Sequence, residues 1–188
     1  MIDVSIDIET LGTSARAPVV SIGAVAFSRE TGKLGQSYYQ RIDWESALQG
    51  RKMDADTLKW WIKQDREASQ EILKIGKPVL ETLSSFVEFF AGLDNRSMSN
   101  ICVWGNGATF DITILEDLFY QYGKRVPWHF WNIRDLRTLK DIAGNRVPED
   151  KLNFAGVKHN ALDDAKHQAI TAMILWQAIN SDNVGPFG

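Results

Sequence analysis

The first residues that could do chemistry are Asp7 and Glu9, which lie two positions apart in the N-terminal segment. Residues two apart on a β-strand project from the same face, with Cα atoms separated by roughly 6 to 7 Å. Two carboxylates at that spacing can share a hard cation such as Mg²⁺ or Mn²⁺, which prefers oxygen ligands and leaves positions for water and phosphate. Taken alone, however, the pair fits a solvent-facing strand edge better, because most acidic side chains are exposed.

Further acidic residues, and one histidine, lie where helices are predicted to begin. Asp111 follows the turn at residues 106–109, whereas Asp163 and Asp164 fall in the first turn of the last helix, just after His159. A carboxylate in a first helical turn complements the positive end of the helix dipole, so capping explains each acid when it is considered singly. The histidine considered singly is best explained as an exposed or hydrogen-bonded residue.

The elements that must position these residues follow from hydrophobic periodicity. The first nine residues alternate apolar and polar side chains, which predicts a strand. Two more β-rich runs joined by a turn containing Gly32 complete a predicted antiparallel meander. Further predicted elements are a strand at 101–104, a short strand with a helix within 132–143, helices at 54–64, 79–93, 110–122 and 161–179, and a polar, mobile loop at 144–158. A meander followed by alternating strands and helices indicates a mixed sheet covered by helices, in the α/β or α+β class.

Composition limits the broad class of protein. The 188 residues are 44% hydrophobic and carry a net charge of -3, which predicts one soluble domain over residues 1–180 with a frayed tail at 181–188. The acidic balance does not exclude nucleic acid as a partner, because divalent cations would make a carboxylate cluster locally electropositive. The single cysteine, Cys102, excludes an internal disulfide, and the absence of a signal or membrane-span pattern predicts a cytoplasmic location with no membrane partner.

The ordered set of motifs is more informative than any one residue. Asp7-Ile8-Glu9-Thr10 on the first strand, Phe110-Asp111 on a middle helix, and His159, Ala161 and Asp164 at the last helix occur in this sequence order. In these motifs the chain resembles the DEDDh 3′-5′ exonucleases of the ribonuclease H-like superfamily. Its Trp60-Trp61 pair and the segments at 104–111 and 134–139 are similar to the phage and prophage branch that includes exonuclease A and exodeoxyribonuclease VIII-like proteins.

The resemblance implies an α/β ribonuclease H-like fold, with a central mixed five-stranded sheet flanked by helices. It also implies a site in which Asp7, Glu9, Asp111 and Asp164 hold two divalent cations, Mg²⁺ or Mn²⁺, and His159 acts as general base. The family spacing selects Asp164 over its neighbour Asp163. The expected reaction is hydrolysis of single-stranded nucleic acid from a free 3′ end, with DNA favoured and nucleoside 5′-monophosphates as products. Candidate substrate contacts are Thr10, Leu11, Trp61, Asn106 and Phe110.

Several alternatives stay open on the sequence alone. Asn106 lies five residues before Asp111, whereas the family pattern places its Asn four residues before the aspartate. Arg134 and Arg137 could contact phosphate or could form surface ion pairs with Asp135 or Asp141. The same site would serve an exoribonuclease or a phosphoesterase acting on small molecules, and the same fold could be a noncatalytic nucleic-acid-binding module. A homodimer is compatible with the resemblance.

Overall fold

The chain folds around one five-stranded mixed sheet, in a computed structural model that describes residues 1–94 and 98–181. The strands are β1 (Ile2–Thr10), β2 (Val19–Ser28), β3 (Lys33–Arg41), β4 (Ile101–Gly105) and β5 (Ile133–Asp135). Their order across the sheet is β3-β2-β1-β4-β5. The first three form the antiparallel meander, and β4 and β5 add parallel strands beside β1. The predicted α/β class and sheet are confirmed.

Helices cover both faces of this sheet. They are α1 (Trp44–Ala47), α2 (Ala55–Ile62), α3 (Arg66–Glu71), α4 (Val79–Leu93), α5 (Ala108–Gln121), α6 (Leu136–Ala143) and α7 (Ala161–Ser181). Short polar side chains define several helix starts, because each accepts hydrogen bonds from the free N–H groups of the first turn. Asp54 does this for α2, Asp135 for α6 and Asn160 for α7. Helices α1 and α3 were not predicted, since elements of four and six residues are too short to show periodicity.

The two faces of β1 differ in what they bury. Val4, Ile6 and Ile8 enter a core formed with α4 and α5. The opposite face carries Asp3, Ser5, Asp7 and Glu9, and α7 packs across it. Glu9 is consequently only 8% exposed. The explanation of Asp7 and Glu9 as a solvent-facing strand edge is therefore wrong, because β1 is the central strand and has a helical layer on each side.

Helix α7 forms its own core with the outer strands and α6. Ala165, Ala169 and Met173 pack against Val25 and Phe27 of β2. The alanines keep α7 close to the sheet, so that side chains from its first turns reach the polar face of β1. The helix continues to Ser181, slightly beyond its predicted end. The predicted frayed tail otherwise lies outside the described residues.

The segment at 144–158 is only partly irregular. It contains two 3-10 turns, Gly144–Arg146 and Glu149–Leu152. Val147 packs against the α6–α7 core, and the Phe154 ring lies 5.0 Å from that of His167. The segment predicted as a loop is thus attached to α7 at several points. Within the described part of the chain, no helix is long and apolar enough to cross a bilayer.

Candidate active site

Asp111 lies beside Asp7 and Glu9, where β1 extends beyond its pairing with β4. Strand β4 pairs with β1 only as far as Ser5, which lies opposite Trp104. Beyond that point the backbone of β1 needs another partner, because an unpaired buried N–H is costly. The Asp111 carboxylate lies near the Ile8 N–H, which opposes the rise that burial causes in the pKa of Asp111. The first turn of α5 is thereby joined to the acidic end of β1.

Asp135 rather than Asp111 caps α5. Its Oδ2 accepts hydrogen bonds from the backbone N–H groups of Gly107 (3.0 Å) and Ala108 (2.7 Å). Its Oδ1 accepts another from the N–H of Thr138 in α6, at 2.8 Å. These bonds lower the pKa of Asp135, although burial opposes the shift most strongly. One carboxylate thus fixes two helix starts, and Asp111 is left available for the site. The position of Asp135 before a predicted helix was the available signal, but local pattern does not indicate that the same carboxylate also caps α5.

Gly23 brings the start of α7 to the same place. It lies opposite Asp7 in the β1–β2 register. A Cβ atom at Gly23 would lie only 2.1 Å from the carbonyl carbon of Ala161, so only glycine leaves room for the helix backbone. The first turn of α7 then presents Asp164 to β1. The sequence alone does not reveal this role of Gly23, since an isolated glycine in a strand can mark a bulge, a bend or a close approach of another backbone.

The predicted acidic residues and histidine meet where these elements converge. One ligand atom from each of Glu9, His159 and Asp164 lies within 4.8 Å of the other two. Asp7 belongs to the same charge cluster, because Glu9, Asp111 and Asp164 each raise its pKa. The structure therefore brings together all five residues that were predicted to carry the chemistry.

Gln168 holds Asp7 in place. Its Nε2 donates a hydrogen bond to Asp7 Oδ1 at 2.7 Å, and its Oε1 accepts one from Ser5 Oγ at 3.4 Å. Gln168 lies four residues after Asp164, so both side chains share one face of α7. That spacing was the available signal, but the family motifs do not include this position.

The carboxylates carry more negative charge than the protein itself compensates. Burial is the largest cause of the raised pKa at Asp7, Glu9, Asp111 and Asp164. Neighbouring carboxylates raise the pKa of Asp7 and Glu9 further, and the pKa of Asp111 reaches about 7. Without a cation, protonation is the favoured way to relieve this repulsion.

The donor set fits divalent cations. Asp164 Oδ2 is buried and accepts no hydrogen bond from any of the residues described. A buried carboxylate oxygen without a donor is costly, and a hard cation would satisfy it. Three further carboxylates around it supply the oxygen-rich surroundings that Mg²⁺ and Mn²⁺ prefer. The residues present thus match a site for divalent cations.

His159 is held in a backbone conformation that few residues adopt. Its φ of +62° is the one positive φ of a non-glycine residue in the described ranges 1–94 and 98–181. Such conformations cost free energy and persist only where surrounding contacts fix them. The His159 N–H lies near the Asp164 carboxylate and opposes the rise that burial causes in its pKa, and Asp163 Oδ2 accepts a hydrogen bond from the Val157 N–H of the preceding loop at 3.0 Å. The imidazole packs edge-to-face against Trp60, with ring centroids 4.9 Å apart.

A cavity of about 450 Å³ opens beside the carboxylates, a volume typical of small-molecule sites. Its lining includes Glu9, Thr10, Trp60, Trp61 and Phe110. Trp61 is 1% exposed and its Nε1 donates to the Thr10 carbonyl at 2.9 Å, whereas Trp60 is 43% exposed. Trp60 is therefore the more accessible of the two rings, although Trp61 was the predicted contact.

The remaining candidate substrate contacts, Leu11 and Asn106, differ in which of their groups a substrate could reach. The Leu11 side chain is fully buried and packs with Val20 and Trp61, which leaves its backbone as the part that could reach a substrate. Asn106 Oδ1 is buried and has no hydrogen-bond partner among the residues described. A bound ligand could satisfy that oxygen through a donor group.

Comparison with known proteins identifies a matching family and a similar phage protein. The sequence profile of the family described as "3'-5' exoribonuclease Rv2179c-like domain" matches residues 2–176. A protein named exodeoxyribonuclease, from Enterobacteria phage T4, is 25% identical over 194 aligned residues. That alignment covers 87% of this chain and 84% of the phage protein.

Solved structures share the fold at low sequence identity. The nuclease domain of 3′hExo, a DEDDh family member bound to rAMP, superposes with a TM-score of 0.66 at 12% identity, covering 94% of this chain and 92% of that domain. Escherichia coli exonuclease I in complex with a dT13 oligonucleotide gives a TM-score of 0.64 at 15% identity, covering 97% of this chain and 43% of that protein. The predicted ribonuclease H-like architecture is confirmed by these neighbours.

Proposed function

We propose that this chain, which belongs to the family of 3′-5′ exoribonuclease Rv2179c-like domains, hydrolyses single-stranded nucleic acid from a free 3′ end and releases nucleoside 5′-monophosphates. The observation that carries the proposal is the convergence of Glu9, His159 and Asp164 within 4.8 Å on the buried polar face of β1. A noncatalytic module would have no need to keep four costly carboxylates and an imidazole together.

Asp7, Glu9, Asp111 and Asp164 would hold two divalent cations, either Mg²⁺ or Mn²⁺. Bound cations would supply Lewis-acid chemistry, which makes water a better nucleophile and stabilises the oxygen that leaves. His159 would take a proton from the attacking water, a role that suits imidazole near neutral pH. The water oxygen bonds to phosphorus as the P–O3′ bond breaks, which yields a 5′-monophosphate and a shortened strand ending in a 3′-hydroxyl.

The cavity beside Glu9 would receive the terminal nucleoside. Trp60 offers an exposed ring on which a base could stack without selecting among bases. Thr10, Trp61 and Phe110 line the same cavity, and Asn106 Oδ1 has no donor among the residues that the structure describes. These contacts fit a site that accepts any 3′-terminal nucleotide.

DNA is the proposed preferred substrate, and RNA is the second candidate. The similarity to the phage T4 exodeoxyribonuclease supports DNA, whereas the family description supports RNA. The choice depends on whether the cavity tolerates or requires a 2′-hydroxyl. A single domain over residues 1–180, a cytoplasmic location and a homodimer also stay predictions, and light scattering of the purified protein would test the dimer.

The deciding experiment is digestion of matched single-stranded DNA and RNA labelled at the 5′ end, with Mg²⁺, Mn²⁺ or EDTA. A ladder that shortens one nucleotide at a time from the 3′ end is expected only with a divalent cation. Asp164→Asn should abolish the ladder. The control Asp163→Asn should retain it, because asparagine keeps an oxygen to accept the Val157 N–H. Internal cleavage, or no cleavage of either strand, would exclude the proposed activity.

A further inference from the structure

The cation of Arg137 lies beside the acidic cluster. Its guanidinium packs against the Gly107 turn, where a Cβ atom on that glycine would lie 3.0 Å from Arg137 Cζ. Gly107 also has a φ of +101°, so both its backbone conformation and its contact with Arg137 require glycine. A Cβ atom at Gly105, two residues earlier, would lie 3.4 Å from Asp111 Oδ2, so the same short turn contacts both Asp111 and Arg137.

Arg137 has a second cation beside it and forms no direct ion pair with any of the residues described. Lys140 lies one turn further along α6, and its pKa is lowered by burial and by the charge of Arg137. The alternative ion pairs of Arg137 with Asp135 or Asp141 are not formed, and Asp135 caps the two helices instead. Within residues 1–94 and 98–181, neither Arg137 nor Lys140 forms an ion pair with a carboxylate. Two neighbouring cations that lack a paired carboxylate repel each other, and a bound phosphate would relieve that repulsion.

The position of these cations complements that of the cavity. Arg137 on α6 lies against the Gly107 turn, whereas none of the described residues that line the cavity belongs to α6. A strand with its terminal nucleoside in the cavity and its scissile phosphate at the carboxylates must leave the site elsewhere. The surface of α6 offers positive charge for that path.

We propose that Arg137 and Lys140 form a phosphate-binding track on α6 that holds the part of the strand lying 5′ to the scissile bond. The inference rests on the proposed exonuclease function and extends it to how the enzyme grips a polymer. Its ligand is the sugar–phosphate backbone, so the track would not select among base sequences.

The test compares binding of a fluorescent hexadeoxynucleotide and of a nucleoside 5′-monophosphate, with Ca²⁺ in place of Mg²⁺ to slow turnover. Arg137→Ala/Lys140→Ala should weaken hexanucleotide binding at least fivefold. The slope of log affinity against log salt should fall by about 1.4, because each lost phosphate contact on a single strand contributes about 0.7. Affinity for the monophosphate, which does not reach the track, should change less than twofold.

The matched control is Lys124→Ala/Arg125→Ala, which also removes two neighbouring cations. These residues follow the C-terminal end of the 14-residue helix α5. They are thus about 20 Å along the helix axis from its first turn, at about 1.5 Å per residue. The control should leave the affinity and the salt slope for the hexanucleotide as in the unaltered chain.

Three outcomes are distinguishable. If the unaltered chain produces no 3′ ladder with Mg²⁺ or Mn²⁺, the proposed function fails. If it produces a ladder but the Arg137→Ala/Lys140→Ala variant keeps the same affinity and salt slope, the track alone is overturned. A change in Mn²⁺ affinity without a change in hexanucleotide binding would also overturn it, because Arg137 would then act only on Asp111.

Discussion

Asp7 depends on a neighbour that the catalytic motifs do not contain. Its pKa is raised by burial and by three neighbouring carboxylates, and the hydrogen bond from Gln168 acts in the opposite direction. Gln168 therefore favours the ionised form of Asp7, the form that binds a cation. Its second contact, with Ser5, fixes the orientation of the amide.

Gln168→Leu should weaken Mn²⁺ binding by about 10- to 100-fold, a range typical of losing a group that orients a metal ligand. Isothermal titration with Mn²⁺ would measure the change, and exonuclease turnover at low Mn²⁺ should fall with it. Gln177→Leu is the control, since Gln177 is exposed on the same helix. Equal Mn²⁺ affinities in the two variants would show that Gln168 has no effect on the site.

His159→Ala should separate chemistry from binding. Loss of a general base typically lowers turnover by about 10²- to 10⁴-fold, while the four carboxylates that would hold the cations stay in place. Single-turnover digestion and oligonucleotide binding would measure the two effects separately. His129→Ala is the control, since the His129 ring stacks on Trp131 and does not belong to the cluster of Glu9, His159 and Asp164, and this variant should behave like the unaltered chain. Unchanged turnover in His159→Ala would remove His159 from the mechanism.

At the scale of elements, the close approach of α7 to β2 assembles the site. The helix lies against the sheet at Gly23 and Ala161, and it carries both Asp164 and Gln168 to Asp7. Any outward shift of α7 would separate the carboxylates of the helix from those of the strand. The distance between α7 and the sheet should therefore affect both the stability of the chain and the proposed cation binding.

Gly23→Ala should destabilise the chain by about 2 kcal/mol or more, because overpacking at a backbone contact forces the helix to move. Thermal unfolding would measure the loss of stability, and Mn²⁺ titration would measure the loss of cation binding. Gly35→Ala on β3 is a matched control, since its Cβ would meet Ala26 at an ordinary 3.4 Å. A Gly23→Ala protein with unaltered stability and Mn²⁺ affinity would contradict this account of the α7 contact.

For the whole molecule, the acidic cluster links stability to pH and to cations. A carboxyl whose pKa is raised by folding binds its proton more tightly in the folded chain than in the unfolded chain. The free energy of unfolding without metal should therefore fall as pH rises from about 4 through the raised values, such as about 7 for Asp111. Glu71 and Asp135 have lowered pKa values, so their titration changes the free energy of unfolding only at lower pH than this range.

In EDTA, the melting temperature should decrease between pH 5 and pH 7.5, and Mg²⁺ should restore more of it at pH 7.5 than at pH 5. Protons compete with the cation for the same carboxylates, so the cation stabilises less at low pH. Asp111→Asn should flatten the pH dependence and raise stability in EDTA by about 1 kcal/mol, which corresponds to about 2–4 °C for a chain of this size. A melting temperature independent of pH and Mg²⁺ would contradict the proposed charge repulsion.

The sequence by itself determined the residues of the cluster and the class of the fold. Asp7, Glu9, Asp111, His159 and Asp164 could be selected because motif order and local spacing are carried along the chain. Hydrophobic periodicity, which is also a local property, indicated a mixed sheet covered by helices, and the resemblance carried by the motifs implied the α/β class.

Only the tertiary structure decided what these residues contact. Burial of Asp7 and Glu9 depends on α7 crossing β1, and that contact joins residues more than 150 positions apart. The roles of Gly23, Asp135 and Gln168 depend on such packing. Packing also decided that Arg137 forms no ion pair with Asp135 or Asp141. Local patterns report which face of a strand or helix a residue occupies. They do not report which element covers that face, and that covering sets the charge and geometry of this site.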